Sequence, residues 1–355
     1  MLLDGVHVPL TTPFYPDGHV YVRKLEHNVR RYSLTPVSGL IALGDGSEAA
    51  ALSDEEQREV LQAVAETAAA DKVLTATLNQ AGCDPALRLA EYAAALRFDV
   101  LLLASPAQWS GNTAALASWL RVLADRAPLP CLVASRCGDA SIELEMLADL
   151  AAHPNVLGVL EQSAHISRVA DLRVATAKVR RTVSTTITFT AATGRMLQPA
   201  QAEAASPQGG FVSAASLATG AAVAGVATVL DAPAVPVLRT RTRQVSSQIL
   251  WAHAGQATEA LRAGAGGIAT AVAASVPQAV FEIWAAWKDG DAGLMHEKQA
   301  RVAAVEPALL DAGAPLLKSG AELSGYFGGR PRLPLVAPTA PERERLASAL
   351  DGMRS

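Results

Sequence analysis

Short apolar runs alternate along the chain with stretches of helical periodicity, and turn residues separate them. Residues 6–10 form an apolar run that closes on Thr11-Thr12-Pro13-Phe14, and Asp17-Gly18 marks a turn. Residues 21–32 place Val22, Leu25 and Val29 at helical spacing with charges between them. A second strand at 40–43 ends in Gly44-Asp45-Gly46-Ser47-Glu48. Ser53-Asp54-Glu55-Glu56 has the form of a capping box, in which a hydroxyl and a carboxylate satisfy the first free amides of a helix. Leu61, Val64, Ala65 and Ala68 are the apolar stripe of that helix. Further strands are predicted at 73–78, 100–103, 131–133 and 156–160, with helices at 85–96, 113–126 and 142–151. Two more strands follow at 248–251 and 267–272, separated by a helix at 257–263.

Successive βα units demand a parallel sheet, because each crossover helix must return the chain to the same strand direction. Eight units of this size predict an α/β fold, a closed (β/α)8 TIM barrel. A doubly wound open sheet is the alternative, but no Gly-x-Gly-x-x-Gly follows the first strand. Residues 180–246 are too long for one connection and predict an insertion before strand seven. It holds a threonine-rich stretch at 182–190, Gly209-Gly210-Phe211-Val212-Ser213, a nearly uncharged tract at 214–230, and Arg239-Thr240-Arg241-Thr242-Arg243. The expectation is a small β element of its own with a mobile middle. A barrel over 1–285 and a helical region over 286–355, packed on the barrel flank, complete the predicted organisation.

Composition narrows the function classes. Apolar residues make up 50% of the 355, ample for a large core. The formal net charge of −4 and the lack of a basic run argue against a nucleic-acid partner. No stretch of about 18 apolar residues is present and the first residues lack a signal-peptide pattern, so a cytoplasmic protein is expected. Cys83, Cys131 and Cys137 are too widely spaced for a disulfide framework or a zinc site. No histidine or carboxylate spacing suggests a metal, and no cofactor is expected.

Several segments together resemble the dihydrodipicolinate synthase / N-acetylneuraminate lyase family. They are Pro9-Leu10-Thr11-Thr12-Pro13-Phe14, Leu43-Gly44-Asp45-Gly46-Ser47-Glu48, Leu52-Ser53-Asp54-Glu55-Glu56, Leu129-Pro130-Cys131-Leu132-Val133 and His153-Pro154-Asn155-Val156-Leu157-Gly158. Gly325-Tyr326-Phe327-Gly328-Gly329-Arg330-Pro331 resembles the closing segment of the 4-hydroxy-2-oxoglutarate aldolase-like branch. The resemblance implies a barrel, usually a homo-oligomer (dimer or tetramer), that makes or breaks bonds next to a 2-keto group. It implies a lysine imine as the electron sink, since a protonated imine withdraws electrons better than a ketone. A tyrosine relay and a threonine pair would serve proton transfer and carboxylate binding.

At the positions that matter this sequence departs from that pattern. Leu160 stands at the imine lysine, Ala134 at the relay tyrosine, Asp45-Gly46 at the threonine pair, and Ala107-Gln108 at the paired tyrosines. The lysines Lys24, Lys72, Lys178, Lys288, Lys298 and Lys318 all read as lying away from the barrel mouth. Candidate ligand-binding residues are therefore Asp45, Gly46, Ser47, Arg136, Glu161 and His165. Asp45 reads either as a group that changes ligand preference toward a cationic or neutral molecule, or as a turn aspartate in water. Arg136 either binds an anion bidentately or is neutralised by Glu161 or Asp45. Glu48 and His153 read as structural, Trp109 as an interface residue, and His253 as a surface histidine.

Two functions follow from these readings. One is a catalytically degenerate barrel that binds a small keto-acid-like or other ligand, or serves as a partner subunit of an active paralogue. The other is a lyase, aldolase or dehydratase that works on a keto or sugar acid through non-covalent acid–base groups. Whether catalysis survives is left open by the sequence.

Overall fold

A computed structural model describes residues 1–197 and 238–353. Its strands in chain order are β1 (Gly5–Pro9), β2 (Gly39–Ala42), β3 (Val73–Leu78), β4 (Val100–Ser105), β5 (Cys131–Cys137) and β6 (Ala140–Ser141). They continue with β7 (Val156–Glu161), β8 (Arg181–Thr186), β9 (Thr240–Val245), β10 (Gln248–Trp251) and β11 (Gly267–Ala269). Strands β1 to β5, β7, β10 and β11 pair in parallel, and the β4–β5 and β11–β1 pairings close them into a ring. The first helices are α1 (Val22–Ser33), α2 (Asp54–Thr67), α3 (Cys83–Ala95), α4 (Thr113–Arg126), α5 (Leu144–Ala152) and α6 (Ser167–Ala175). The last five are α7 (Ala257–Ala263), α8 (Pro277–Asp289), α9 (Ala292–Leu310), α10 (Ala314–Leu323) and α11 (Ala340–Leu350). The fold is the (β/α)8 barrel that the alternation predicts, with C-terminal helices.

Two apolar clusters hold it together. Ile41, Val100, Leu102, Leu132, Leu160 and Leu250 fill the inside of the barrel. Val6, Val8, Leu40, Leu101 and Val133 point the other way, into the layer between strands and helices. Strands buried on both faces explain why each reads as an unbroken apolar run. One position carries a tight constraint. An added Cβ on Gly158 would lie 1.8 Å from the Gln248 carbonyl oxygen, so β7 and β10 approach as closely as they do only with glycine there.

Several boundaries differ from those predicted. Strand β5 runs on to Cys137 and turns into β6, which pairs antiparallel with Arg136 and Cys137, so α5 begins at Leu144 rather than at 142. Strand β11 stops at Ala269, where a 3-10 turn begins under the Thr270 cap. Helix α6, for which the sequence gives no bounds, buries only Val169 and Leu172, too thin a stripe to delimit it. The division at 285 falls inside α8, one continuous helix that follows β11 and packs on β1. The C-terminal helices do more than cover the flank. Leu310, at the end of α9, and Ala314 and Leu317 on α10 reach the open end of the barrel.

The region after α6 does contain a small β element. Strands β8 and β9 pair antiparallel from Arg181↔Val245 to Thr186↔Thr240. The Arg181 guanidinium donates to the carbonyls of Ala151, His153 and Pro154, just before β7. Thr193 donates to the Ala70 carbonyl and Gly194 N–H to Asp99, before β3 and β4. Both roots of the insertion thus lie at the N-terminal end of the barrel strands. Its expected mobile middle, with 209–213 and 214–230, lies outside the described residues. Among the described residues no helix is long and apolar enough to cross a membrane.

His7 on β1 supplies a pH-dependent element of stability. Its neighbours Val6 and Val8 face the helices, so its ring faces the barrel interior, where Nε2 meets the Leu3 carbonyl at 3.0 Å. Burial pulls its pKa down from 6.5 to about 4, against the opposing effect of that hydrogen bond. The unfolded chain therefore binds a proton that the folded chain refuses. Stability from this site is complete above the unfolded pKa and declines by about 3 kcal/mol as pH falls through the window down to the folded pKa. Urea melts at neutral and mildly acidic pH should show this slope, and His7→Gln should flatten it; an unchanged slope in the variant would locate the acid sensitivity elsewhere.

Candidate functional site

The C-terminal ends of the barrel strands enclose a cup of about 440 Å³. That is the size of a small-molecule site and the face at which barrels of this kind place their chemistry. Asp45 and Gly46 enter from the β2–α2 loop, Ser105 from the end of β4, and Ala134 and Arg136 from β5. Gln162 follows β7, His253 follows β10 and Thr270 follows β11. Leu317 closes the remaining side.

The β2–α2 loop is the most constrained part of the rim. Leu43 (φ 58), Gly46 (φ 81) and Glu48 (φ 58) all adopt left-handed backbone. Non-glycine residues there cost on the order of 1–3 kcal/mol each, so surrounding bonds must hold the loop. Ser47 Oγ donates to the Gly44 carbonyl at 2.6 Å, and Glu48 accepts the Arg332 N–H at 2.7 Å. The other Glu48 oxygen pairs with Lys318 Nζ. An added Cβ on Gly46 would lie 2.8 Å from Leu317 Cδ1, so a threonine at 46 has neither the backbone angle nor the space.

Asp45 is open to solvent at the rim yet has protein on most sides. Burial raises its carboxyl above the usual range, while the Gln162 amide, Arg136 and His253 pull it back. The Gln162 amide donates to Asp45 Oδ2 at 3.2 Å. Arg136 donates to the Asp139 carbonyl at 3.0 Å, with the exposed Asp139 carboxylate 3.6 Å away. His253 Nε2 lies 2.9 Å from the Gln162 carbonyl, which fixes both groups. Ser105 Oγ is buried and has no hydrogen-bond partner among the described residues.

Of the residues expected from the sequence, Asp45, Gly46 and Arg136 come together in the cup. The others do not. Glu161 is 0% exposed and turned outward, where it accepts from Ser135 Oγ and the Ser163 N–H, both at 2.8 Å, and pairs with Arg168 at 3.2 Å. Neither Glu161 nor Asp45 forms a salt bridge with Arg136 among the described residues; Asp139 does. Ser47 is buried in its own turn, and His165 and Gln108 are exposed outside the cup. Gln162, Ser105, Thr270 and His253, the last read as a surface histidine, are the residues sequence reasoning missed. Their shared signal is position at or just past a barrel strand end.

Leu160 and Ala134 are register partners on β7 and β5 and both face the barrel interior. No lysine lines the cup among the described residues. Lys318 comes nearer than the sequence suggests, since the adjacent Leu317 is in the wall. Its own amine turns away to Glu48, to the Arg330 carbonyl at 3.1 Å and to the Phe14 ring, 4.1 Å from its centroid. Among the described residues no group of 3 or more His, Cys, Asp and Glu is arranged to hold a metal ion. A wider groove of about 1170 Å³ lies outside the barrel, between Phe14 to Tyr21 and the segment 327–338. Its charged residues are largely paired with each other, as in Arg332 with Glu56 and Arg343 with Glu322.

Comparison with known proteins agrees with this architecture. A 4-hydroxy-tetrahydrodipicolinate synthase of Xanthomonas axonopodis pv. citri is 31% identical over 174 residues, 48% of this chain and 58% of that protein. The enzyme of the same name from Haloarcula marismortui is 31% identical over 171 residues, 47% of this chain and 55% of its own length. This chain therefore aligns with little more than half of each relative. Among solved structures, a Bacillus anthracis dihydrodipicolinate synthase superposes with a TM-score of 0.74 at 15% identity, covering 99% of this chain and 98% of that one. An N-acetylneuraminate lyase from Fusobacterium nucleatum gives 0.73 at 14% identity, with 99% of each chain covered. The family model for the dihydrodipicolinate synthetase family matches residues 2–184, ending within β8 where the insertion leaves the barrel. With half of its length under that model and the same barrel throughout, the chain belongs to the dihydrodipicolinate synthetase family.

Proposed function

We propose that this protein is a member of the family without imine chemistry, whose cup holds a small molecule non-covalently. One observation carries the reading: an aliphatic side chain, Leu160, faces the barrel interior beside Ala134, at the place where the family resemblance calls for an amine. An imine needs a nitrogen nucleophile within reach of the ketone. Lys318 has the chemistry, since burial lowers its pKa to about 8, but its side chain is only 1% exposed and committed to Glu48. Non-covalent acid–base catalysis has less support, because Glu161 is held by Arg168, Ser135 and Ser163 outside the cup. We extend the proposal to a cytoplasmic homo-oligomer, alone or with an active paralogue; the free cysteines Cys83, Cys131 and Cys137 suit a reducing compartment.

Pyruvate with borohydride, read by intact mass, tests the reading. The expected result is no adduct on the wild-type chain and a trapped adduct on Leu160→Lys, whose buried amine would be held partly neutral and nucleophilic. A wild-type adduct mapped to any lysine would overturn the proposal.

A further inference from the structure

The cup presents opposite charges that are not paired with each other. Asp45 has the neutral Gln162 amide as its hydrogen-bond partner among the described residues. Arg136, across the same cavity, is matched by the carboxylate of a fully exposed Asp139, an arrangement that contributes little in water. A third group, Ser105 Oγ, is buried at the wall with its hydrogen-bonding capacity unused. Gln162, His253 and Thr270 add polar groups at the strand ends, and between them the wall is small and aliphatic, with Ala104, Ala134, Ala252 and Leu317.

Each feature restricts the ligand. A 2-keto acid offers acceptors and a negative charge, so Asp45 can give it no bond and repels it. An ammonium group offers three donors and a positive charge, which suits a carboxylate. A lone amine would leave Arg136 with only the exposed Asp139 for an anion, and a plain carboxylic acid would leave Asp45 with only the neutral Gln162 amide. Resting on the reading of the cup as a non-covalent site, we propose that it takes a small zwitterionic α-amino acid with an aliphatic side chain. Its carboxylate lies against Arg136, its ammonium against Asp45, and its side chain against the alanines and Leu317. Burial lifts the Asp45 carboxyl, and a cation beside it would hold it ionised.

Calorimetry on the full chain at neutral pH, with alanine, valine and leucine, the 2-keto acid of each skeleton and the corresponding amine, tests the assignment. At least one amino acid should bind tenfold or more tightly than both of its counterparts. Asp45→Asn should weaken that amino acid by about tenfold or more, while Asp45→Thr should narrow or reverse the preference over the keto acid. Thermal melts of both variants check that the fold is kept, which an open rim position favours. A keto acid that binds as well as its amino acid, an Asp45→Asn variant with unchanged affinity, or no amino-acid binding at all would overturn the assignment. A keto acid that binds without a borohydride-trapped adduct would overturn it while leaving the non-covalent reading intact; a trapped adduct would overturn that reading first.

Discussion

Replacing Lys318 by methionine should lower the stability of the folded chain by about 3–5 kcal/mol, the scale for removing one partner of a buried ion pair. Methionine fills similar volume, so the loss comes from the Glu48 carboxylate, 2% exposed and left without its cation. Restoring neutrality should restore stability. Burial lowers the Lys318 pKa to about 8 despite the adjacent Glu48, so withdrawal from water outweighs the attraction between the two groups. Pairs of that kind contribute little over an uncharged replacement of both partners. The double variant Lys318→Met with Glu48→Gln should therefore melt in urea close to the wild type, far above the single Lys318→Met. If the double variant instead loses the sum of the two single losses, the charges act independently and the pair account fails.

Gly158→Ala should cost more than about 4 kcal/mol, in the range reserved for direct violations of packing. The added carbon would stand 1.8 Å from the Gln248 oxygen, 2.6 Å from its carbon and 2.8 Å from its nitrogen. All three are backbone atoms, so no side chain can swing aside. The β7–β10 register, in which Gly158 faces Gln248, must part. Gly293→Ala in α9 is the matched control: its nearest neighbour is an Asp291 side-chain oxygen at 3.5 Å, and helix propensity favours alanine. Chemical denaturation of the two variants should separate them by several kcal/mol; equal midpoints would mean that the barrel seam yields more easily than its geometry implies.

Much of the architecture was legible because parallel strands covered on both faces appear as unbroken apolar runs. The Ser53 capping box was legible too, with Ser53 and Glu56 bonding reciprocally as their spacing required. Helix Thr113–Arg126 starts at the Asn112 cap, and Ala257–Ala263 ends at Gly264 in left-handed backbone. Strand β6 was not legible, being two exposed residues whose pairing depends on where β5 ends. The arrival of α10 at the rim was hidden for a different reason: its buried positions look the same whether they cover a flank or a mouth.

The cup was half legible. Asp45, Gly46 and Arg136 were found because strand ends carry the reactive side of such barrels. Glu161 failed by a single position. Along a strand side chains alternate faces, so Leu160 points in, Glu161 points out, and Gln162, one residue later, returns to the cup. His253, Ser105 and Thr270 meet there only because the ring closes through pairings between segments distant in sequence, which no local spacing records.

The antiparallel pairing of β8 with β9 has a consequence for how this chain could have diverged from its relatives. Two hydrogen-bonded strands keep the departing and returning ends of a detour about 5 Å apart, whatever the length of chain between them. Growth or loss of sequence beyond that clasp need not alter the step from β7 to β10. Because the clasp is fixed at the base, changes in it need not touch the residues that choose a ligand at the opposite end.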